Sequence, residues 1–190
     1  FVEQAVKKGH NVTAFVRSPE KMNVTGVNIV QGDAFDAAAV SNAIAGHDVV
    51  VSCVGSTEGP EKNTSIEKMV RNIADGMVAN NVTRVLYCAS AGVDNELPGL
   101  MGKMVMKMLA KPLKDHRNAL DYLLSKNVTY TIARPMGLKN EPLELDYTEV
   151  FDGPPNGKSS IPRASVAHFL VKALDDKKYE NATVGLASQK

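Results

Sequence analysis

Five short runs rich in Val, Ile, Thr and aromatic residues alternate with stretches that carry apolar side chains at three- and four-residue spacing. The runs are Val12–Val16, Val27–Val30, Val49–Val54, Arg84–Cys88 and Tyr130–Ala133, and most are almost continuously apolar, as strands covered on both faces are. The stretches Asp36–Ala45, Ser65–Asn80 and Leu113–Lys126 have the period of helices packed along one side. Strand alternating with helix predicts an α/β fold, a doubly wound parallel sheet with right-handed crossovers and helices on both faces. After Pro135 the rhythm changes. Asp146–Phe151 and Ser159–Ile161 read as short extended pieces around Gly153-Pro-Pro-Asn-Gly157, followed by a helix over Ser165–Leu174 and a last strand over Thr183–Ala187. No repeat or linker interrupts the pattern, so residues 1–190 are expected to form one domain with a small C-terminal lid.

In a sheet of this kind a ligand lies across the carboxyl ends of the strands. Those ends read Arg17-Ser18, Gly32-Asp33-Ala34, Cys53-Val54-Gly55-Ser56-Thr57, Cys88-Ala89-Ser90 and Arg134-Pro135-Met136-Gly137. An apolar strand closing on a cation, then a second closing on Gly-Asp, is the adenosine half of a Rossmann-like dinucleotide site. An NAD site places an acid at the end of its second strand, whereas an NADP site places a cation there. Arg17, backed by Lys21, therefore predicts a clamp for the 2′-phosphate of NADP(H). Asp33 is placed to accept from the adenine amino group, and the small Gly55-Ser56 pair lets backbone approach the ribose and pyrophosphate. Phe1–Gly9 holds neither a strand nor a G-x-G-x-x-G loop, and is expected to be the tail of a helix whose preceding strand and phosphate loop lie outside the chain.

Composition narrows the function classes. The 190 residues carry 22 basic and 21 acidic side chains, so no overall field favours nucleic acid or anionic lipid. No apolar run approaches the roughly 20 residues of a membrane-spanning helix; neither a nucleic-acid nor a membrane partner is expected. Cys53 and Cys88 end apolar runs, where buried strand cysteines sit, and lie outside any metal-ligand spacing. Asn11, Asn23, Asn63, Asn81, Asn127 and Asn181 head N-x-S/T triplets. Three of these, in Lys8–Thr13, Ala79–Thr83 and Ser125–Thr129, are expected to stop a helix and start a strand rather than carry sugar, which favours a cytoplasmic protein.

Ser90 offers a hydroxyl near where a nicotinamide would sit, or else caps its own loop. Met101, Met104, Met106 and Met108 in Gly99–Ala110 read either as adaptable core or as the lining of a substrate pocket. Tyr122-Leu-Leu-Ser-Lys126 spells a Y-x-x-x-K motif, but at the end of its helix remote from the strand carboxyl ends, so it is not expected to donate a proton. His116 follows Asp115 on a helix, where a lone His is more often a surface or cap residue. His10, His47 and His168 have no partner at catalytic spacing along the chain.

The order V-R-x-x-x-K, V-x-G-D, V-G-S/T, C-x-S-A and R-P-x-G resembles the atypical short-chain dehydrogenase/reductases with an NmrA-like NAD(P)-binding domain, and most of all the biliverdin-IXβ reductase / NADPH flavin reductase group. Gly46–Val50, Asp115-His116, Tyr147-Thr148 and Ala167–Leu170 extend the match along nearly the whole chain. The resemblance implies that Arg17 and Lys21 hold the phosphate and that Asp33-Ala34 contact adenine. It also implies that Val54, Gly55, Ser56, Thr57, Cys88, His116, Pro135, Gly137 and Leu138 occupy further cofactor positions, with Ser90 and Cys88 nearest the chemistry. Gly137 and Leu138 stand where the flavin reductase group carries a histidine and an isoleucine. The expected activity is NADPH-dependent hydride transfer to a flavin (as substrate), a tetrapyrrole or a similar conjugated acceptor; the alternative is a non-catalytic NADP(H) sensor acting on a protein partner.

Overall fold

The computed structural model describes residues 1–55, 65–154 and 159–189. Helix α1 (Val2–Lys7) leads into β1 (Thr13–Val16), which pairs in parallel with β2 (Asn28–Gln31). Helix α2 (Ala37–Ile44) follows, its first turn capped by Asp36, whose carboxylate accepts from the Ala39 N–H at 3.0 Å. Then come β3 (Val49–Ser52), α3 (Ser65–Ala79), β4 (Arg84–Cys88), α4 (Gly99–Met108), α5 (Ala110–Leu124) and β5 (Thr129–Pro135). The rest is β6 (Gly137–Lys139), β7 (Tyr147–Phe151), β8 (Ser160–Pro162), α6 (Arg163–Asp175) and β9 (Ala182–Ser188).

The main sheet runs β3-β4-β5-β9-β7, with the first four strands parallel. The predicted α/β architecture is thus present, with two additions. Strand β7, expected as an extended piece of the lid, forms the antiparallel edge of the main sheet against β9. Residues 137–139, not expected as a strand, form β6 and pair with β8 in a separate two-stranded sheet.

Alternation along β4 explains the two cores. Val85 and Tyr87 point into one with Ile44, Ile73, Met77 and Leu120, which belong to α2, α3 and α5. Leu86 points the other way, into a core with Phe169 and Leu170 of α6. Among the three helix-stop segments, Asn81 takes the left-handed conformation at φ 56, Gly9 does so at φ 92 in place of Asn11, and Asn127 does not. Asn63 and most of the turn after Gly153 lie outside the described residues.

Candidate cofactor site

Among the described residues, strand β1 is hydrogen-bonded only to β2, and β3 only to β4. Their other edges border one cavity of about 1180 Å³, lined by Thr13 to Arg17 on one side and Val49 to Gly55 on the other. The main sheet is therefore interrupted between β1 and β3. Two buried polar atoms on this lining, His10 Nε2 and Ser52 Oγ, have no hydrogen bond among the described residues, though His10 Nε2 stands 3.7 Å from Asp175 Oδ1, which also lines the cavity. Buried polar groups in folded proteins are normally satisfied, so Ser52 Oγ marks a place where a further polar group fits.

The residues predicted for the adenosine half converge here. Arg17, Asp33, Ala34, Val54 and Gly55 all line the cavity. Arg17 is exposed at the end of β1, and among the described residues its guanidinium has no hydrogen bond or ion pair; only its carbonyl is engaged, accepting from Gln31 Nε2 at 3.4 Å. Lys21 closes the short helical turn Pro19–Lys21 just beyond, also exposed, and does not line the cavity. Asp33 Oδ1 accepts from the Phe35 N–H at 3.0 Å, which orients the carboxylate and leaves Oδ2 free of that bond. Gly32 has a steric reason: a Cβ there would lie 2.3 Å from Cε2 of Phe15, so any side chain would displace that ring. Ser56 and Thr57 lie outside the described residues.

The other predicted residues do not join that cavity. Cys88, half-buried at the end of β4, carries a thiol that burial pushes up to about 12, so it is protonated at neutral pH. Cys53, expected to be buried, is exposed and opens onto the cavity. Ser90 Oγ donates to the Ala91 carbonyl at 3.0 Å, the loop-capping arrangement that was its alternative reading. Pro135 is buried, and its carbonyl accepts from the Ala91 N–H at 2.9 Å, tying the loop after β4 to the end of β5. Gly137 and Leu138 are exposed on β6. A Cβ at Gly137 would come 3.0 Å from the Ser159 carbonyl, so this glycine permits the close approach of β6 to the β8 segment.

His116 is neither a surface nor a cap residue. Its Nδ1 lies 2.7 Å from the hydroxyl of Tyr87, which is fully buried on β4, and burial lowers its pKa to about 4, so the imidazole is neutral at pH 7. His168 is similarly paired, with Nδ1 2.9 Å from the Tyr147 hydroxyl. Neither pairing was expected. The partners are 29 and 21 residues apart in the chain, and no local spacing signals them. Asp115 supplies a role the sequence reading missed: its carboxylate accepts from the Ile66 and Glu67 N–H groups at 2.9 and 3.1 Å, capping α3 from α5.

Tyr122 is occupied elsewhere. Its hydroxyl donates to Asp75 at 2.8 Å and accepts from Lys126 Nζ at 3.0 Å, in the last turns of α5. At the opposite end of the sheet, Arg134 is buried with its side chain 3% exposed. It donates through Nη1 to Asp94 and Glu96, both at 3.1 Å, and through Nη2 to the Gly153 carbonyl at 3.2 Å. Glu96 in turn accepts from the Gly92 and Asp94 N–H groups. This set joins the loop that follows Ser90 to the end of β5 and to the turn after β7.

The arrangement can hold an adenosine and a ribose phosphate at the ends of β1 to β3. Comparison with known proteins agrees. The profile of the family described as NAD(P)H-binding matches residues 1–177. A Rossmann-fold NAD(P)-binding family protein from Shigella flexneri is 25% identical, with a TM-score of 0.76 over 98% of this chain and 85% of that one. A short-chain dehydrogenase/reductase from Veillonella parvula, solved in complex with NADP, is 21% identical, with a TM-score of 0.78 over 94% and 82%. ChuY from Escherichia coli O157:H7, described as an anaerobillin reductase, is 19% identical, with a TM-score of 0.79 over 98% and 89%. With strand ends, cavity and fold in agreement, the chain belongs to the family described as NAD(P)H-binding and has its Rossmann-like fold.

Proposed function

We propose that this protein is an NADPH-dependent reductase whose acceptor is a conjugated ring system such as a flavin or a tetrapyrrole. The observation that carries the cofactor choice is the unpaired guanidinium of Arg17 on the rim of the cavity shared by Asp33, Ala34, Val54 and Gly55. Arg17 and Lys21 would hold the 2′-phosphate, Asp33 and Ala34 the adenine, and the backbone around Gly55 the ribose. The bound dinucleotide supplies hydride. The protein's own part is orientation, because among the described residues no side chain is placed as a strong proton donor: Tyr122 is bonded to Asp75, His116 is neutral and bonded to Tyr87, and Cys88 is protonated. That suits an acceptor whose ring atom takes its proton from water rather than a simple ketone. The E. coli ChuY similarity supports a tetrapyrrole among these acceptors.

A second reading, a sensor that binds NADP(H) without turnover and acts on a protein partner, is favoured by Ser90, whose hydroxyl is spent on its own loop.

The test is a titration with NADPH and NADH followed by turnover with added flavin and, separately, a linear tetrapyrrole. Charge-assisted hydrogen bonds of about 1.5–3 kcal/mol give an expected NADPH preference of roughly 10- to 150-fold, erased by Arg17→Asp. Equal affinity for the two cofactors refutes the clamp. NADPH binding with no oxidation in the presence of either acceptor selects the sensor.

A further inference from the structure

The overall balance of charge conceals a local one. From Leu97 to Lys114 the chain carries four lysines and no acid. Helix α4 occupies the middle of this segment and buries none of its residues. Leu100, Met101, Met104 and Met108 are 86, 68, 59 and 71% exposed. At about 100° per residue these four fall within an arc of roughly 100°, and Lys103 and Lys107 lie on the flank beside it. Met106, on the opposite side, and Val105, just beyond Met101, are half-buried. A contiguous stripe of large exposed apolar side chains marks an interaction surface, since monomeric surfaces seldom carry one without use.

Beside the stripe, α4, α5 and the loop at Val93 enclose a shallow cavity of about 510 Å³. Lys103, Lys107, Lys114 and Arg117 line it together with Val93 and Leu113, and no acidic side chain does. Arg117 is paired with Asp94 and Asp121, but the three lysines have no ion-pair partner among the described residues. The uncompensated charge therefore faces a recess next to exposed apolar surface. A second copy of the chain meeting this face with its own would oppose lysine to lysine.

We infer that the α4 face docks on an anionic phospholipid bilayer, with Leu100, Met101, Met104 and Met108 entering the acyl boundary and Lys103, Lys107 and Lys114 holding headgroup phosphates. An amphipathic helix lies in a membrane interface in this way, its apolar face buried and its lysines at the level of the headgroups. The inference concerns a surface that shares no lining residue with the cavity at β1 and does not depend on the reductase reading.

The experiment is co-sedimentation of the purified full chain with large vesicles of equal parts phosphatidylglycerol and phosphatidylcholine, and with phosphatidylcholine alone. Retention is expected on the anionic vesicles only, and is lost near 1 M salt, where the screening length falls to about 3 Å. Lys103→Gln and Lys107→Gln each weaken binding about fivefold. Leu100→Ser and Met104→Ser each weaken it by about tenfold without changing the charge. Circular dichroism and melting temperature stay unchanged in all four variants, because the side chains are exposed. No retention on anionic vesicles at low salt, or equal retention on both kinds, overturns the inference. So does full release by millimolar inorganic phosphate, which would make the recess a site for free phosphate. A dimer seen in sedimentation velocity and abolished by Leu100→Ser, with vesicle binding absent, would assign the face to a second copy instead.

Discussion

Replacing Arg134 with Met keeps most of the side-chain length and removes the charge, and it should destabilise the fold measurably. Arg134 is 3% exposed and is shared by Glu96, 13% exposed, and Asp94, 39% exposed. Losing one partner of a buried pair costs about 3–5 kcal/mol, mostly from the charge left behind. Two features place this case at the low end. Asp94 retains Arg117 at 2.6 Å, and Glu96 retains the N–H groups of Gly92 and Asp94. The Arg134 Nε is buried with no hydrogen-bond partner among the described residues, so the native arrangement there is not fully satisfied to begin with. The expected loss is therefore about 3 kcal/mol in urea unfolding at neutral pH, with an unchanged m value. Combining Arg134→Met with Glu96→Gln removes the stranded carboxylate and should restore at least about 1 kcal/mol relative to the sum of the single losses. A loss under about 1 kcal/mol for Arg134→Met, or strict additivity in the pair, would refute the claim that a buried ion pair holds this loop.

Other outcomes follow from single contacts. The pKa of His116 is lowered to about 4 in the folded protein, so between pH 6.5 and 4 the unfolded chain binds a proton that the folded chain does not. Stability is complete above about 6.5 and falls by on the order of 3 kcal/mol toward pH 4; His116→Asn should flatten that slope, and an unchanged slope would show that His116 is not its source. Asp115→Ala removes the acceptor for two N–H groups at the start of α3 and should cost about 2 kcal/mol in thermal or urea unfolding. Tyr122→Phe should leave any NADPH-oxidation rate within about twofold, whereas loss of a proton donor would reduce it by about 10² or more.

The strand ends were the most legible part of the site. Arg17, Asp33, Ala34, Val54 and Gly55 could be placed together because a doubly wound sheet brings the ends of successive strands to one edge, and each strand announced itself by a local run. The steric need for Gly32 was not legible, since it comes from Phe15 across the β1–β2 pair. Nor was the antiparallel edge strand β7: an extended run of residues shows that it is extended, not which neighbour it pairs with or in which direction.

Two levels of information divide along the same line. The sequence by itself determined the α/β alternation, the helix stops at Gly9 and Asn81, and the cation at the end of β1, because backbone preference and hydrophobic period are properties of a few adjacent residues. Only the tertiary structure decided that His116 rests on Tyr87, that Arg134 lies between Asp94 and Glu96, that Asp115 caps α3, and that Met101, Met104 and Met108 of α4 face outward rather than into a core. Burial and partnership depend on what the rest of the chain brings to a side chain. A helical period of Leu and Met shows where an apolar face lies along its own helix, and leaves open whether protein or solvent stands opposite it.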